Sequence, residues 1–341
     1  DYYGILTSSD DYTAWRESWR NPELMLDPVR KAWAAEAETM AIVQASKGQE
    51  AKQVFPINND SIRLVDEKLT NKAINFITEM KGSKKPFFLY MGARCCHNDN
   101  YPHPDFAGKS LAKYPYKDAL VEIDYRVGQI RTALEKSGQL ENTLIILTSD
   151  NGPFTEAFPD TGFTPFRGAK ATSYEGGVRV PGIAFWPGVI KPGRVSEGLF
   201  DLTDIYATSL GLAGASEQMP NDRYMDTIDQ SSFLLADNGK SRRRIQYYWA
   251  NDNFMGIRIA EYKLLVKEQS FNLSDTWPQM SPFQGTAQPL LYGGKIFNLL
   301  IDAKEENAMA PLKQPQIPVL KEAVMRHLET MKKYKTPVPF R

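Results

Sequence analysis

Thr143-Leu144-Ile145-Ile146-Leu147-Thr148-Ser149-Asp150-Asn151-Gly152-Pro153 passes from an apolar, β-branched run straight into polar turn chemistry. A run of that kind, stopped by a turn signal, predicts a buried strand, and in open α/β sheets ligands collect beyond the carboxyl ends of strands. Asp150 and Asn151 then stand where a substrate or metal binds. Both offer the oxygen ligands that a hard cation such as calcium or magnesium takes. Asp-Asn-Gly is equally ordinary turn chemistry, with Gly152 able to supply a positive φ, so the rest of the chain has to decide.

Upstream, Leu120, Ile123, Val127, Ile130 and Leu134 form a helical stripe stopped by Gly138, and Phe87 to Gly92 reads as a strand apolar on both faces. Strand, helix, strand in this order predicts a right-handed parallel unit with both polar loops on one edge of the sheet. The first of these loops, Arg94 to Pro104, carries His97 and His103. Before it, Asp60 or Ser61 caps a helix bearing Ile62, Val65, Leu69, Phe76 and Met80. The stretch to about Val54, with Trp15, Trp19 and Trp33, reads as a surface excursion lining a cleft.

Downstream, a loop runs through Arg167-Gly168-Ala169-Lys170-Ala171-Thr172-Ser173-Tyr174-Glu175-Gly176-Gly177 to a strand, Val180 to Trp186, and a helix, Leu202 to Leu212. After about Gln218 the texture changes to a charged connector, Ser241 to Arg244, and strands Ile245 to Trp249 and Gly256 to Lys267, the latter bent at Glu261-Tyr262. A final helix carries Leu320, Val324, His327, Leu328 and Met331. The predicted fold is α/β: a mostly parallel central sheet flanked by helices in residues 1–217, and a smaller antiparallel sheet plus helix in residues 218–341.

The 341 residues hold 41 basic and 41 acidic side chains, so no net charge points to nucleic acid as partner. No apolar run is long enough to span a membrane. The chain opens at Asp1 without Met, which predicts a removed targeting segment or a start partway through a longer protein. Adjacent Cys95 and Cys96 offer neither a disulfide framework nor a zinc site. Asn59-Asp60-Ser61 and Asn272-Leu273-Ser274 are glycosylation sequons in form.

Among candidate groups, a loop imidazole at His97 donates to an anion or protonates a leaving group, and His103 competes with it. His327 falls on an apolar stripe and reads as a core residue. Lys170, among Gly168 and small alanines, can approach an anion closely. Arg167 pairs a carboxylate near the site or serves the substrate, the structural role being preferred, and Glu175 marks a tight turn into the next strand.

Taken together, "PFFLY" followed by His97, "YKDALVEIDYRVGQI", "ENTLIILTSDNGP", "FRGAKATSYEGGVRVPGIAFWPG" and "IFNLLIDAKEEN" resemble the sulfatase family of the alkaline-phosphatase-like superfamily, from about Lys85 to Asn307. The resemblance implies that Asp150 and Asn151 are two ligands of a calcium ion, that Lys170 holds the sulfate oxygens, and that His97 contacts the ester's bridging oxygen or the sulfate. It implies sulfuric ester hydrolysis of an aryl or carbohydrate sulfate through formylglycine, and a periplasmic, secreted or lysosomal location. Two departures stand out: the family's usual glycines are Ala169 and Ala171 here, and the Cys/Ser-x-Pro-x-Arg motif that yields formylglycine is absent from these residues. The paired aspartates expected upstream of that motif are also missing. The resemblance places the nucleophile on an N-terminal segment of the same protein or on another chain. The alternatives are a phosphate or phosphonate ester hydrolase of the same superfamily and a non-catalytic relative or fragment that binds sulfated glycans.

Overall fold

The computed structural model describes residues 1–5, 26–28, 31–32, 40–58, 60–97, 99–155, 159–250, 252–270 and 286–334. Trp15, Trp19, Trp33, both sequon asparagines and most of the stretch from Phe271 to Leu291 lie outside them. Two compact units divide the chain, residues 1–143 with 159–161 and residues 144–158 with 162–341.

In the first unit β1 (Tyr2–Ile5), β2 (Ala41–Ala45) and β3 (Lys52–Pro56) form an antiparallel sheet. Its buried residues Met40 and Ile42 join Ile57, Ile62 and Val65 in one apolar cluster. The predicted first helix is a 3₁₀ turn at Ser61–Leu64 continuing into α1 (Val65–Glu79), which buries Val65, Thr70, Ala73 and Ile77. Against it packs α2 (Pro115–Ser137), stopped by Gly138 in the left-handed conformation as the stripe predicts.

The buried face of α2 differs from the predicted stripe. Leu120 is 44% exposed, while Glu122 and Arg126 are buried as an ion pair at 3.0 Å. Hydrophobic periodicity ranks residues by type and is blind to a charge that brings its own partner. Phe87 to Gly92 enters no sheet ladder among the described residues. Phe87 instead sets its ring edge-on to Phe76, with centroids 5.4 Å apart.

In the second unit β4 (Ile145–Thr148) pairs antiparallel with β5 (Gly182–Phe185), Thr148 facing Gly182. This pair is what the described residues contain of the predicted, mostly parallel central sheet. One helical turn, α3 (Glu175–Val178), precedes β5, and α4 (Asp204–Leu212) and α5 (Ser231–Leu235) follow it. The charged connector is not wholly solvated: Arg243 is buried on Asp204, its Nε 2.8 Å from Oδ2.

The predicted C-terminal assembly is an antiparallel sheet of β6 (Ile245–Ala250), β7 (Asn253–Ile259), β8 (Tyr262–Leu265) and β11 (Lys295–Asn298), in the order β11-β8-β7-β6. β9 (Lys267–Ser270) and β10 (Thr286–Pro289) make a separate antiparallel pair. Phe254, Ile257, Leu264 and Ile296 of the sheet bury against Ile317, Leu320 and Ala323 of α6 (Ile317–Lys333).

His327 is a core residue, as its place on the stripe predicts. Its ring stacks on Tyr247 at 3.6 Å, and its Nε2 accepts from Trp249 Nε1 at 3.2 Å. Burial depresses its pKa below the ordinary 6.5. The unfolded chain therefore binds that proton more readily than the folded one. The stability it contributes is present above the unfolded pKa and is lost as pH falls through the folded one. His327→Gln should flatten the acid limb of melting temperature against pH relative to the wild type; superimposable limbs would show that another group governs it.

Candidate functional site

The turn at the end of β4 is held against the Lys170 loop by backbone contacts. Gly152 N donates to Gly177 O at 2.9 Å, and Lys170 N donates to Pro153 O at 2.9 Å. Gly152 does not sit at positive φ as turn chemistry predicts. Its missing side chain serves close approach instead: a Cβ there would lie 1.9 Å from Gly176 O. Gly176 N donates to Arg167 O at 2.7 Å, closing the loop on itself, and a Cβ on Gly176 would lie 2.4 Å from that oxygen. Asp150, Asn151 and Lys170 thus belong to one glycine-packed assembly within the second unit.

Within the loop, Gly168 takes φ +81° and Ala171 φ +68°. The latter conformation disfavours alanine by about 1–2 kcal/mol. Thr172 braces the turn, its Oγ1 donating to Ala169 O at 2.8 Å. From β9, the buried Gln269 accepts from Ser173 N at 3.1 Å and donates from Nε2 to Ala171 O at 2.8 Å. Lys170 is half-buried, its Nζ 5.8 Å from the Phe154 ring centroid.

Glu175 departs most from its sequence reading. It is 2% exposed and lies at the centre of an ionic cluster. Its carboxylate accepts from Tyr248 Oη at 2.8 Å, from Lys263 Nζ at 3.1 Å and from Arg258 Nη1 at 3.1 Å. Lys263, fully buried, also meets Glu305 Oε1 at 2.8 Å, and Glu305 Oε2 accepts from Glu175 N at 2.7 Å. Burial alone raises a carboxyl pKa, but at Glu175 the Lys263 and Arg258 charges outweigh it and hold the group below its usual value. At Glu305 burial prevails over Lys263, and the pKa is raised. Arg167 has the structural role assigned to it: its guanidinium lies 4.2 Å from the Tyr174 ring centroid and donates to Glu305 O at 2.8 Å.

His97 and His103 belong to the first unit. Asp66 of α1 sets the start of their loop, accepting from Arg94 N at 2.7 Å and Cys95 N at 2.9 Å. His103 is committed to local structure. Its Nδ1 accepts from Asp105 N at 3.2 Å, capping a 3₁₀ turn, and its backbone N–H donates to Glu122 Oε2 at 2.7 Å. His97 is half-buried, its N–H donating to Arg94 O at 3.3 Å. Both cysteines are free thiols. Burial and then the Asp66 charge push them up, Cys96 to about 12 and Cys95 further, so neither is a thiolate near neutral pH.

Asp150 is exposed and Asn151 half-buried, so a carboxylate and a carboxamide oxygen stand at the strand end. This donor set suits a hard cation but is short of the six to eight oxygens calcium takes. Among the described residues no cluster of three His, Cys, Asp or Glu side chains completes it. No helix among them is long and apolar enough to cross a membrane. Sequence reading missed Glu175, Lys263, Glu305 and Gln269. The one local signal is Lys263, a cation inside the apolar strand Tyr262–Leu265.

A family model described as Sulfatase matches residues 9–215. The chain is 33% identical over 261 residues to N-acetylgalactosamine-6-sulfatase of Mus musculus, covering 76% of this chain and 48% of that protein. It is 35% identical over 267 residues to arylsulfatase A of Homo sapiens, covering 72% and 51%. The crystal structure of PsFucS1 sulfatase from Pseudoalteromonas sp. superposes with a TM-score of 0.88 at 37% identity, covering 98% of this chain and 67% of that one. The chain spans about half the length of the curated relatives it matches.

Because a Cβ at residue 152 collides with a backbone oxygen, Gly152→Ala should destabilise the second unit by about 3 kcal/mol. Urea unfolding checks this; an unchanged midpoint would show that the turn has room the geometry denies it.

Proposed function

This chain belongs to the sulfatase family, and from that premise we propose that the protein hydrolyses a sulfate ester of a carbohydrate or aryl alcohol. The observation that carries the residue assignment is the Lys170 N to Pro153 O hydrogen bond, which ties the lysine's backbone to the Asp150–Asn151 turn. Lys170 holds the non-bridging sulfate oxygens, where its ammonium offsets negative charge on the transferring group. His97 gives a proton to the leaving oxygen as the sulfur–oxygen bond breaks. His103 differs in its local ties, its Nδ1 accepting from Asp105 N and its backbone N–H donating to Glu122.

Asp150 and Asn151 would hold calcium through their side-chain oxygens, with the remaining ligands from outside the described residues. When bound, calcium and formylglycine supply, respectively, a positive charge beside the sulfate and the nucleophilic oxygen. The formylglycine belongs to an N-terminal segment of the same protein or another chain, since neither Cys95 nor Cys96 stands in its motif. The relatives named for N-acetylgalactosamine-6-sulfate make a sulfated glycan the preferred substrate. The proposed compartment is periplasmic, secreted or lysosomal, and residues 218–341 are the proposed C-terminal subdomain.

The test is the complete natural protein assayed on sulfate and phosphate esters of one alcohol, with metal analysis of the same preparation. Sulfate release with bound calcium is expected; release of phosphate alone, or of neither product, overturns the proposal. Lys170→Ala should lower kcat/KM about 100-fold or more and leave the fold intact. His97→Ala should fall similarly, and His103→Ala should lose stability before activity. Full activity in His97→Ala would remove that residue from the chemistry.

A further inference from the structure

We infer that Gln269 is a positioning residue for Lys170. This rests on the role proposed for Lys170 above. The lysine is held on both sides by main-chain anchors: its own N–H bonds Pro153 O, and the residue after it, Ala171, is fixed in the left-handed conformation at φ +68°. A left-handed residue directly after Lys170 reverses the chain there and sets the direction of the lysine's Cα–Cβ bond. Alanine does not hold that conformation by itself, having a Cβ that crowds the following carbonyl. Within the loop Thr172 bonds Ala169 O, and two further bonds come from outside it. Gln269 is 7% exposed in β9, 98 residues from Ala171, and its carboxamide spans residues 171–173, donating to Ala171 O at 2.8 Å and accepting from Ser173 N at 3.1 Å.

Only a group with one donor and one acceptor at this spacing satisfies both partners. A carboxylate offers acceptors alone and repels Ala171 O; a thioether offers neither bond. The resemblance to sulfatases expects glycine at residue 171, and glycine adopts positive φ without strain. Gln269 thus does for Ala171 what a missing Cβ does for glycine, and does it from the separate β9–β10 pair.

The experiment compares the complete natural protein with Gln269→Glu, Gln269→Met and Lys170→Ala, following kcat, KM and amide exchange of the 167–177 segment. Gln269→Glu lacks the donor when ionised and regains it on protonation. Its activity relative to wild type, and its protection at Ser173, should therefore rise as pH falls. Dividing by the wild-type profile removes the response of neighbouring Glu268, Tyr174, Arg167 and Lys295. Gln269→Met should lose about 10-fold or more in kcat/KM with faster exchange, consistent with the cost of small misplacements, and Ala171→Gly added to it should restore part of the loss. A role in packing alone predicts no acid-restored profile and no recovery with glycine. Wild-type kinetics and exchange in Gln269→Glu and Gln269→Met, beside an inactive Lys170→Ala, overturn the inference and leave the role of Lys170 standing. An active Lys170→Ala overturns that role instead, whereupon exchange at residues 171–173 alone judges whether Gln269 holds the loop.

Discussion

Everything proposed for the second unit depends on two backbones meeting at Gly152 and Gly176. A Cβ at residue 152 would stand 1.9 Å from the Gly176 carbonyl oxygen, far inside van der Waals contact. Only with both side chains missing do the turn after β4 and the loop after Arg167 exchange the hydrogen bonds that join them. Asp150 and Asn151 are brought to Lys170 by this contact and not by any interaction of their own side chains. The chemistry-bearing residues are passengers on a scaffold made of glycine and main-chain amides.

Behind that scaffold lies a charged foundation. Glu175 and Glu305 share the buried Lys263, with Arg258 balancing the second negative charge. Four charges out of water are a poor source of net stability, but removing one leaves its partners unpaired, which is strongly destabilising. The cluster ties the start of α3 to Arg258, Lys263 and Glu305.

Local chemistry was readable from the chain, and distant partnership was not. The strand ending at Thr148 and the αL stop at Gly138 each arise from residues a few positions apart, so pattern and turn chemistry place them, but β4 is half-buried to exposed where a buried strand is expected, and the hairpin turns at Ala260–Glu261, one residue before Glu261-Tyr262. His327 was readable as a core residue because Leu320, Val324 and Leu328 on its helix point the same way. Glu175 looked like a turn marker because its partners lie 73 to 130 residues on. The buried face of α2 was misread for a related reason: Glu122 is rendered apolar in effect by Arg126 and by the His103 amide. At Gly152 the residue type was right and the reason wrong, since a glycine needed for proximity and one needed for φ look alike in a sequence. The parallel pairing expected between Phe87 to Gly92 and the strand ending at Thr148 is not seen among the described residues, where Phe87 to Gly92 joins no ladder and β4 pairs antiparallel with β5.

The span between Glu175 and Glu305 also orders events in time. Their contact closes a loop of 130 residues, and such closures form late because chain entropy opposes them until local elements are in place. The Lys170 loop, tied to Gln269 and Glu305, would acquire its final seating only when those distant residues reach it. During synthesis on the ribosome, Lys170 would remain loosely held until residue 305 emerged, so the nascent chain has a fold in progress well before this loop is seated.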